Sequence, residues 1–210
     1  MEEYKRGAMQ GIFSQEIRFP STSSGTDIST NSNTSVTEPA EVVFGDWVER
    51  RLEDLCFGIS SGKTKVSEDG KFNIYGSTGV IGSNETYTHD GKYILVARVG
   101  ANAGLINYVE EQFSVTDNTL IVDSNKEVII TKFLLYFLER INLNRLVFGS
   151  GQPLITGGQL KALKINLPSL PEQTKIANFL SAIDTKIAQN TQSLEKMKTF
   201  KRGLLQGMFA

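Results

Sequence analysis

The sequence predicts an α/β domain followed by a long C-terminal coiled-coil helix. Two observations support this prediction. Residues 41–170 mix short apolar runs with Gly-rich loops, as strands and helices joined by turns do. Residues 171–210 instead carry a seam of positions spaced alternately four and three residues apart, which is the pattern of a coiled coil.

Two shorter segments precede the domain. Residues 1–19 are predicted to be the end of a helix, and residues 20–40 are predicted to be a flexible linker. The linker is rich in Ser, Thr and Asn and has almost no apolar content, so it cannot bury enough surface to offset the entropy lost on ordering. A chain of 210 residues, 40% of them hydrophobic, has room for one globular domain and an appended element.

Within the domain, residues 92–99 are predicted to form a buried strand that follows a turn at Asp90 and Gly91. A helix is predicted over residues 131–141, with Thr131 as its N-cap. Shorter strands are predicted at residues 72–75, 120–122 and 164–167. The Gly-rich loops between these elements are predicted at residues 58–65, 76–83, 100–104 and 149–158. Loops of this kind on a rigid scaffold are where recognition usually lies.

The C-terminal helix is the strongest structural signal in the sequence. Pro171 suits a first helical turn, and no further Pro occurs up to Phe209. Over residues 172–208 a helix would form a rod roughly 55 Å long. The predicted seam consists of Ile176, Leu180, Ile183, Ile187, Asn190, Leu194, Met197, Lys201, Leu204 and Met208. The alternative is that this helix packs on its own domain, although few single domains offer so long a flank.

An internal repeat links the two ends of the chain. Residues 4–13 (YKRGAMQGIF) match residues 200–209 (FKRGLLQGMF), with Lys, Arg, Gly, Gln, Gly and Phe at the same relative positions. The chain therefore begins with the end of a unit whose full copy follows.

Several catalytic and metal-binding chemistries lack their residues. Residues 58–64 suggest a phosphate-binding loop, but three residues rather than four separate the two glycines. There is no Pro-Pro pair for an adenine methyltransferase loop and no Pro-Asp for a common restriction nuclease. His89 is the one histidine and is predicted to lie in a turn, while the lone Cys56 excludes an internal disulfide and a Cys-rich zinc site. The chain is therefore interpreted as a binding protein without a catalytic or metal site.

Charge and hydropathy limit the partners. The net charge of −1 argues mildly against a free-standing nucleic-acid binder, because phosphate contacts usually require a basic excess. If the chain binds DNA, partner proteins are expected to share those contacts. The first residues do not resemble a signal peptide, and no apolar run approaches the ~20 residues that span a bilayer. A cytoplasmic protein without membrane contact is expected.

Four segments resemble the specificity subunits of type I restriction-modification enzymes. Trp47 with residues 51–55, residues 74–82 and residues 94–100 are similar to a target recognition domain of that family. Residues 167–177 (LPSLPEQTKIA) resemble the family's Pro-x-x-x-Pro-Glu-Gln entry into its long conserved helix. The resemblance covers residues 41–210, and this junction is its most specific part.

The resemblance implies an α/β target recognition domain and a half-size subunit. Full-length members have two such domains, and their two helices pair antiparallel as a spacer between half-sites. A chain with one domain is then expected to form a homodimer and to read an inverted repeat on double-stranded DNA. The implied partners are methyltransferase subunits that bind S-adenosylmethionine and restriction subunits that use ATP, so that this chain itself holds no cofactor.

The DNA-contacting residues are predicted from the Gly-rich loops and strand ends, where polar side chains can reach phosphates or base edges. The candidates are Lys63, Lys65, Tyr75, Ser77, Thr78, Arg98, Asn102 and Gln152. Each of them also suits a turn. Two other interpretations of the chain remain open at this point: a dimeric interaction module clustered by its coiled coil, and an inactive specificity fragment or recombination cassette.

Overall fold

The computed structural model describes residues 1–19, 44–147 and 153–208. The helices are α1 (Glu2–Phe13), α2 (Thr131–Ile141), α3 (Gly157–Lys161) and α4 (Leu170–Met208). The strands are β1 (Val48–Arg51), β2 (Cys56–Ser61), β3 (Phe72–Gly76), β4 (Gly79–Asn84), β5 (His89–Ala97), β6 (Ile106–Val115), β7 (Thr119–Ser124) and β8 (Lys164–Leu167).

Six strands form one mixed sheet in the order β2-β7-β5-β6-β3-β4, in which β3 and β6 pair parallel and the other neighbours pair antiparallel. Strand β5 is central, and its residues 94–97 are buried on both faces. This explains the continuous apolar run that identified the strand in the sequence. Helix α2 packs on one face of the sheet, and a smaller cluster around Phe113 fills the other.

A separate two-stranded sheet joins the beginning of the domain to its end. Strand β1 pairs antiparallel with β8, from Val48 opposite Leu167 to Arg51 opposite Lys164. Helix α4 begins three residues after β8, so this small sheet determines where the long helix leaves the domain.

Several predicted elements are confirmed, two of them with the predicted bounds. Helix α2 and strand β8 begin and end where the sequence placed them, and the strands at residues 72–75 and 120–122 are the cores of β3 and β7. The N-terminal helix is α1, and the C-terminal helix begins one residue before Pro171. The predicted linker at residues 20–40 lies outside the described residues.

The turn predicted around His89, Asp90 and Gly91 is wrong, because all three residues belong to β5. His89 lies opposite Phe113 in the β5–β6 pair, and its imidazole stacks on that ring with the centroids 5.4 Å apart. The strand also ends earlier than predicted, at Ala97, and Val99 forms an isolated bridge with Leu154.

Two predicted loops are largely strands. Residues 58–61 belong to β2 and residues 79–83 to β4, and Gly79, with φ +103°, directly follows the turn between β3 and β4. Two other glycines of these segments mark close packing. A side chain at Gly82 would collide with the backbone of Ser67, and one at Gly62, just after β2, with the backbone of Val115. In the other two loops, Gly100–Asn102 is a short 3₁₀ turn, and α3 begins at Gly157.

Thr131 is the first residue of α2 rather than its N-cap. Ile130 occupies the cap position, and its backbone N–H donates to Oε1 of Gln173 on α4 at 2.8 Å. The hydroxyl of Thr131 instead pairs with that of Ser124 at 2.8 Å. Helix α2 therefore has no side-chain N-cap, and a side chain from a distant helix satisfies the N–H of the residue that precedes it.

Helix α4 divides into two halves. Ile176, Leu180 and Ile183 are buried in the main core, and Ile187 is half-buried against it. Every side chain from residue 188 to residue 206 is exposed, including Leu194 and Met197 of the predicted seam. The alternative of a helix packed on its own domain thus holds for the first half of α4, and the seam extends beyond the domain in the second half. No helix in the described part of the chain is both long and apolar enough to cross a membrane.

Candidate nucleic-acid interface

Four segments that are distant in the sequence meet around the turn between β6 and β7. Asn118 in this turn accepts two hydrogen bonds through its backbone carbonyl, from the Ser77 hydroxyl at 3.1 Å and from the Arg98 N–H at 3.0 Å. The loop that follows β2 joins them, since the Thr64 N–H donates to the Val115 carbonyl at 3.0 Å. We call residues 62–64, 77–78, 98 and 116–118 the turn cluster.

The turn cluster brings together four of the eight predicted DNA-contacting residues: Lys63, Ser77, Thr78 and Arg98. The side chains of Lys63 and Thr78 are exposed, and Ser77 is half-buried. This arrangement brings an exposed lysine and an exposed hydroxyl group close to the Ser77 hydroxyl, whose proton is donated to Asn118. Such groups suit phosphate oxygens and base edges.

Three other candidates lie outside the turn cluster. Lys65 is exposed in the same loop as Lys63, and Asn102 is exposed in the 3₁₀ turn after β5. Gln152 lies outside the described residues. The predicted roles of these residues in DNA contact stay predictions.

Tyr75 joins the cluster through its backbone but not through its side chain. Its carbonyl accepts the Thr116 N–H at 3.0 Å, while its hydroxyl donates to Oε1 of Glu111 at 2.7 Å. Burial, followed by this hydrogen bond and the charge of Glu111, raises the pKa of Tyr75 to about 12. The hydroxyl is therefore committed to a carboxylate as a donor.

The Arg98 guanidinium is incompletely satisfied. Its Nε is buried without a hydrogen-bond partner among the described residues, and so is Oγ1 of nearby Thr119. The backbone of Arg98 is held on both sides, because its carbonyl also accepts the Ile155 N–H at 2.8 Å. An unpaired buried donor costs free energy. Among the described DNA-contacting candidates, Arg98 is therefore the residue whose hydrogen bonding is left incomplete.

An aromatic and acidic patch beside β5 was missed in the sequence. His89, Tyr93 and Tyr75 surround Phe113, each with its ring centroid 5.4–5.6 Å from that of Phe113. Burial lowers the pKa of His89, partly offset by the charge of Asp123. With Glu111 and Asp123 close by, this patch is unfavourable for phosphate. In a strand that begins at residue 89, His89, Tyr93 and Leu95 lie on the same face. This alternation was the signal available in the sequence.

Glu172 and Gln173 of the Pro-Glu-Gln junction are buried, whereas Pro171 is exposed, and the two buried side chains contact several segments that are distant in the sequence. The Arg18 guanidinium donates to both carboxylate oxygens of Glu172 at 3.0 Å, and the indole N–H of Trp47 donates to Oε2 at 3.2 Å. The Gln173 amide accepts from Ile130 and donates to the carbonyls of Val128 and Pro168 at 3.2 and 2.9 Å. The motif that marked the resemblance therefore holds the long helix in a fixed direction relative to the domain.

The described residues contain no group of three or more His, Cys, Asp or Glu side chains that could hold a metal ion. The thiol of Cys56 is half-buried, and burial, with a smaller contribution from Asp123, raises its pKa to about 12. A thiol with a raised pKa is a weak nucleophile, because the thiolate is the reactive form.

Comparison with known proteins identifies relatives of the whole domain. A family model described as the type I restriction modification DNA specificity domain matches residues 45–199. The specificity subunit of the Escherichia coli type I restriction enzyme EcoprrI is 32% identical over 114 residues, which are 54% of this chain and 28% of that protein. A putative type I specificity subunit of Mycoplasma pneumoniae is 30% identical over 145 residues, 64% of this chain and 47% of the relative.

Solved structures share the fold. The type I S subunit of M. genitalium superposes with a TM-score of 0.61 at 20% identity, over 73% of this chain and 43% of its own. The HsdS subunit of Thermoanaerobacter tengcongensis gives 0.59 at 18% identity, over 91% and 45% of the two chains. The chain thus spans less than half the length of each of these relatives.

Proposed function

The chain belongs to the type I restriction-modification DNA specificity family, and from this membership we propose that it reads a short DNA sequence for an enzyme whose chemistry lies in partner subunits. The observation that supports this most is the family match across residues 45–199, which includes the turn cluster and the Pro-Glu-Gln junction. Membership of a specificity family agrees with the expectation of a chain that recognises DNA and does not catalyse.

The candidates inside and outside the turn cluster have different proposed roles. Lys63 and Lys65 contact phosphates, and Arg98 contacts a phosphate or a guanine edge. Ser77, Thr78, Asn102 and Gln152 supply shorter polar contacts. The phosphate contacts are few, which agrees with a net charge of −1 and with partner subunits that share the DNA backbone.

The proposed target is bipartite. One recognition domain reads one half-site, and a second copy of the chain, related by a two-fold axis, reads its inverted repeat. The exposed half of α4 supports this part of the proposal, because its apolar seam residues Leu194, Met197 and Leu204 need a partner helix. Light scattering of the protein alone, and mixed with its methyltransferase subunit, measures whether such a dimer forms and takes up that subunit. A monomer that ignores the methyltransferase would contradict this proposal.

The proposed partners divide the chemistry. Methyltransferase subunits bind S-adenosylmethionine and methylate adenine, and restriction subunits use ATP when unmodified DNA is cleaved. This chain is proposed to hold neither cofactor and to direct both kinds of subunit to the target.

DNA contact by the turn cluster is tested with Lys63→Ala in the chain assembled with its methyltransferase subunit. Loss of one phosphate contact is expected to weaken DNA binding and to lower the slope of log affinity against log salt by about one. Fluorescence anisotropy with duplex DNA over a salt series measures both quantities.

Lys92→Ala is the matched control, because Lys92 is also exposed but lies on β5 and is paired with Glu110 at 2.8 Å. It removes the same charge outside the turn cluster. Equal effects of the two substitutions would indicate general electrostatics, and unchanged binding by Lys63→Ala would remove this residue from the interface.

A further inference from the structure

Two segments of the chain are identical at six of ten positions but lie in different surroundings. Residues 4–13 form most of α1, and residues 200–209 match them in the internal repeat. Helix α1 is packed on the domain, whereas every described side chain of the second segment is exposed. The packing of α1 therefore shows which kind of surface binds a helix with this sequence pattern.

Helix α1 lies in a groove formed by α2 and the first half of α4, which we call the α1 groove. Met9, Ile12 and Phe13 are buried there, with 7%, 1% and 6% of their surface exposed. The Phe13 ring packs against Phe133 and Phe137 of α2, with ring centroids 5.4 and 5.7 Å apart.

A lysine fixes the outer end of α1 in the groove. Lys5 Nζ lies 3.1 Å from Glu139 of α2 and 2.7 Å from Asp184 of α4, and 14% of the lysine side chain is exposed. It also lies 4.9 Å from the centre of the Tyr136 ring. Burial alone would lower the pKa of Lys5, but the hydrogen bonds and charges of Asp184 and Glu139 outweigh it and raise the pKa.

The second segment has the side chains that this groove requires. Lys201 matches Lys5, Leu205 matches Met9, and Met208 matches Ile12. Phe209 matches Phe13, so each buried position of α1 is apolar in both copies.

The α1 groove of the same chain is out of reach of the second segment. Asp184 belongs to the groove and to α4 itself, so Lys201 lies seventeen residues further along one continuous helix. At ~1.5 Å per residue, this separates the two by roughly 25 Å along a rod that cannot fold back on itself. A second copy of the chain has to supply the groove.

The direction of α1 fits such a pair. Lys5 contacts Asp184, and Arg18, just beyond α1, contacts Glu172, so this segment runs antiparallel to α4. A second copy of α4 placed with its Lys201 where Lys5 lies would also run antiparallel to the first. The arrangement is reciprocal, and its two-fold axis passes midway between residues 184 and 201, near Gln192.

We propose that the α1 groove is the docking site for the end of α4 from a second copy of this chain, and that α1 is its competitor within the chain. This inference rests on the proposed homodimer. Dimer affinity is then set by the balance between α1 and the incoming segment 200–209, which contend for Glu139, Asp184 and the apolar floor of the groove.

The test compares two matching lysines in the full-length chain. Lys201→Ala weakens the incoming segment and is expected to raise the dimer dissociation constant about tenfold, because each dimer contains the contact twice. Lys5→Ala weakens only the competitor and is expected to lower the dissociation constant by a similar factor. Sedimentation velocity over a concentration series measures both constants.

Lys198→Ala is the control, since Lys198 is exposed and paired with Glu195 within the same helix. It removes the same charge, and its effect should be small. Circular dichroism of each variant verifies that the chain remains folded.

A weaker dimer with Lys201→Ala together with a tighter dimer with Lys5→Ala supports the inference, and so does a wild-type monomer that becomes a dimer with Lys5→Ala. The reverse pair of effects would overturn it, and so would effects of the same sign. A tighter dimer with Lys201→Ala and no change with Lys5→Ala would also overturn the inference but not the homodimer. Removal of a charge from an apolar seam strengthens the seam, so this result would indicate an ordinary coiled coil. Monomers in every case would overturn both the inference and the homodimer, and the Lys63→Ala measurement would still decide DNA recognition.

Discussion

The two halves of α4 have one sequence pattern and two different environments. In the first half, Ile176, Leu180 and Ile183 are buried in the core of their own domain. In the second half, Leu194, Met197 and Leu204 continue the same spacing but are 50%, 62% and 53% exposed. A heptad pattern therefore predicts that a helix needs a partner along one face, but not whether that partner is its own domain or another chain.

The largest difference between the two halves is expected from leucine truncation. Leu180→Ala leaves a cavity in the core and should lower the free energy of unfolding by about 3 kcal/mol. Leu194→Ala removes the same atoms from an exposed position and should change the stability of the isolated chain by less than about 0.5 kcal/mol. Urea denaturation at a concentration where the chain is monomeric compares them, and equal losses would mean that the second half is also packed.

A similar contrast is expected for two glutamates. Glu172 is buried and accepts from Arg18 and Trp47, so Glu172→Ala leaves both donors without their acceptor and should cost about 3 kcal/mol. Arg18 is partly exposed, and water recovers some of this loss. Glu195→Ala breaks only an exposed pair and should cost less than about 0.5 kcal/mol. Thermal unfolding of both variants gives the difference, and a mild effect at Glu172 would refute the anchoring role of the junction.

The smallest effect is expected where the two halves meet. The Tyr136 hydroxyl lies 3.1 Å from that of Ser181 and donates to Asp184 at 2.7 Å, just before α4 leaves the domain. Tyr136→Phe should cost about 1 kcal/mol and should speed amide hydrogen exchange near residues 184–187. Tyr4→Phe is the control, because Tyr4 is exposed. Unchanged exchange in Tyr136→Phe would place the boundary elsewhere.

The candidate interface was found only in part from sequence. Lys63, Ser77, Thr78 and Arg98 were selected because they lie in Gly-rich segments or at a strand end, and the structure brings them together around Asn118. The sequence offered no reason to select Asn118, because its role is a backbone carbonyl. Tyr75 was selected for its hydroxyl, and the structure directs that hydroxyl to Glu111, which is remote in the sequence.

Local patterns alone determined several features of this protein. Helix α2 and strands β5 and β8 were visible because a buried face imposes a periodicity on neighbouring residues, and the long helix was visible for the same reason. The repeat of residues 4–13 at residues 200–209 needed no coordinates, and the family resemblance lay in the contiguous Pro-Glu-Gln junction.

Only the tertiary structure decided the features that depend on distant partners. Strand β6 was missed because its polar residues Glu110, Glu111 and Gln112 hide the alternation, and pairing with β5 and β3 makes it a strand. The partner of the Ile130 N–H at the start of α2 is Gln173 of α4, and the division of α4 at Ile187 follows from where the domain ends. Hydrogen-bond partners and burial across a fold depend on the path of the whole chain, and no short window of sequence contains that path.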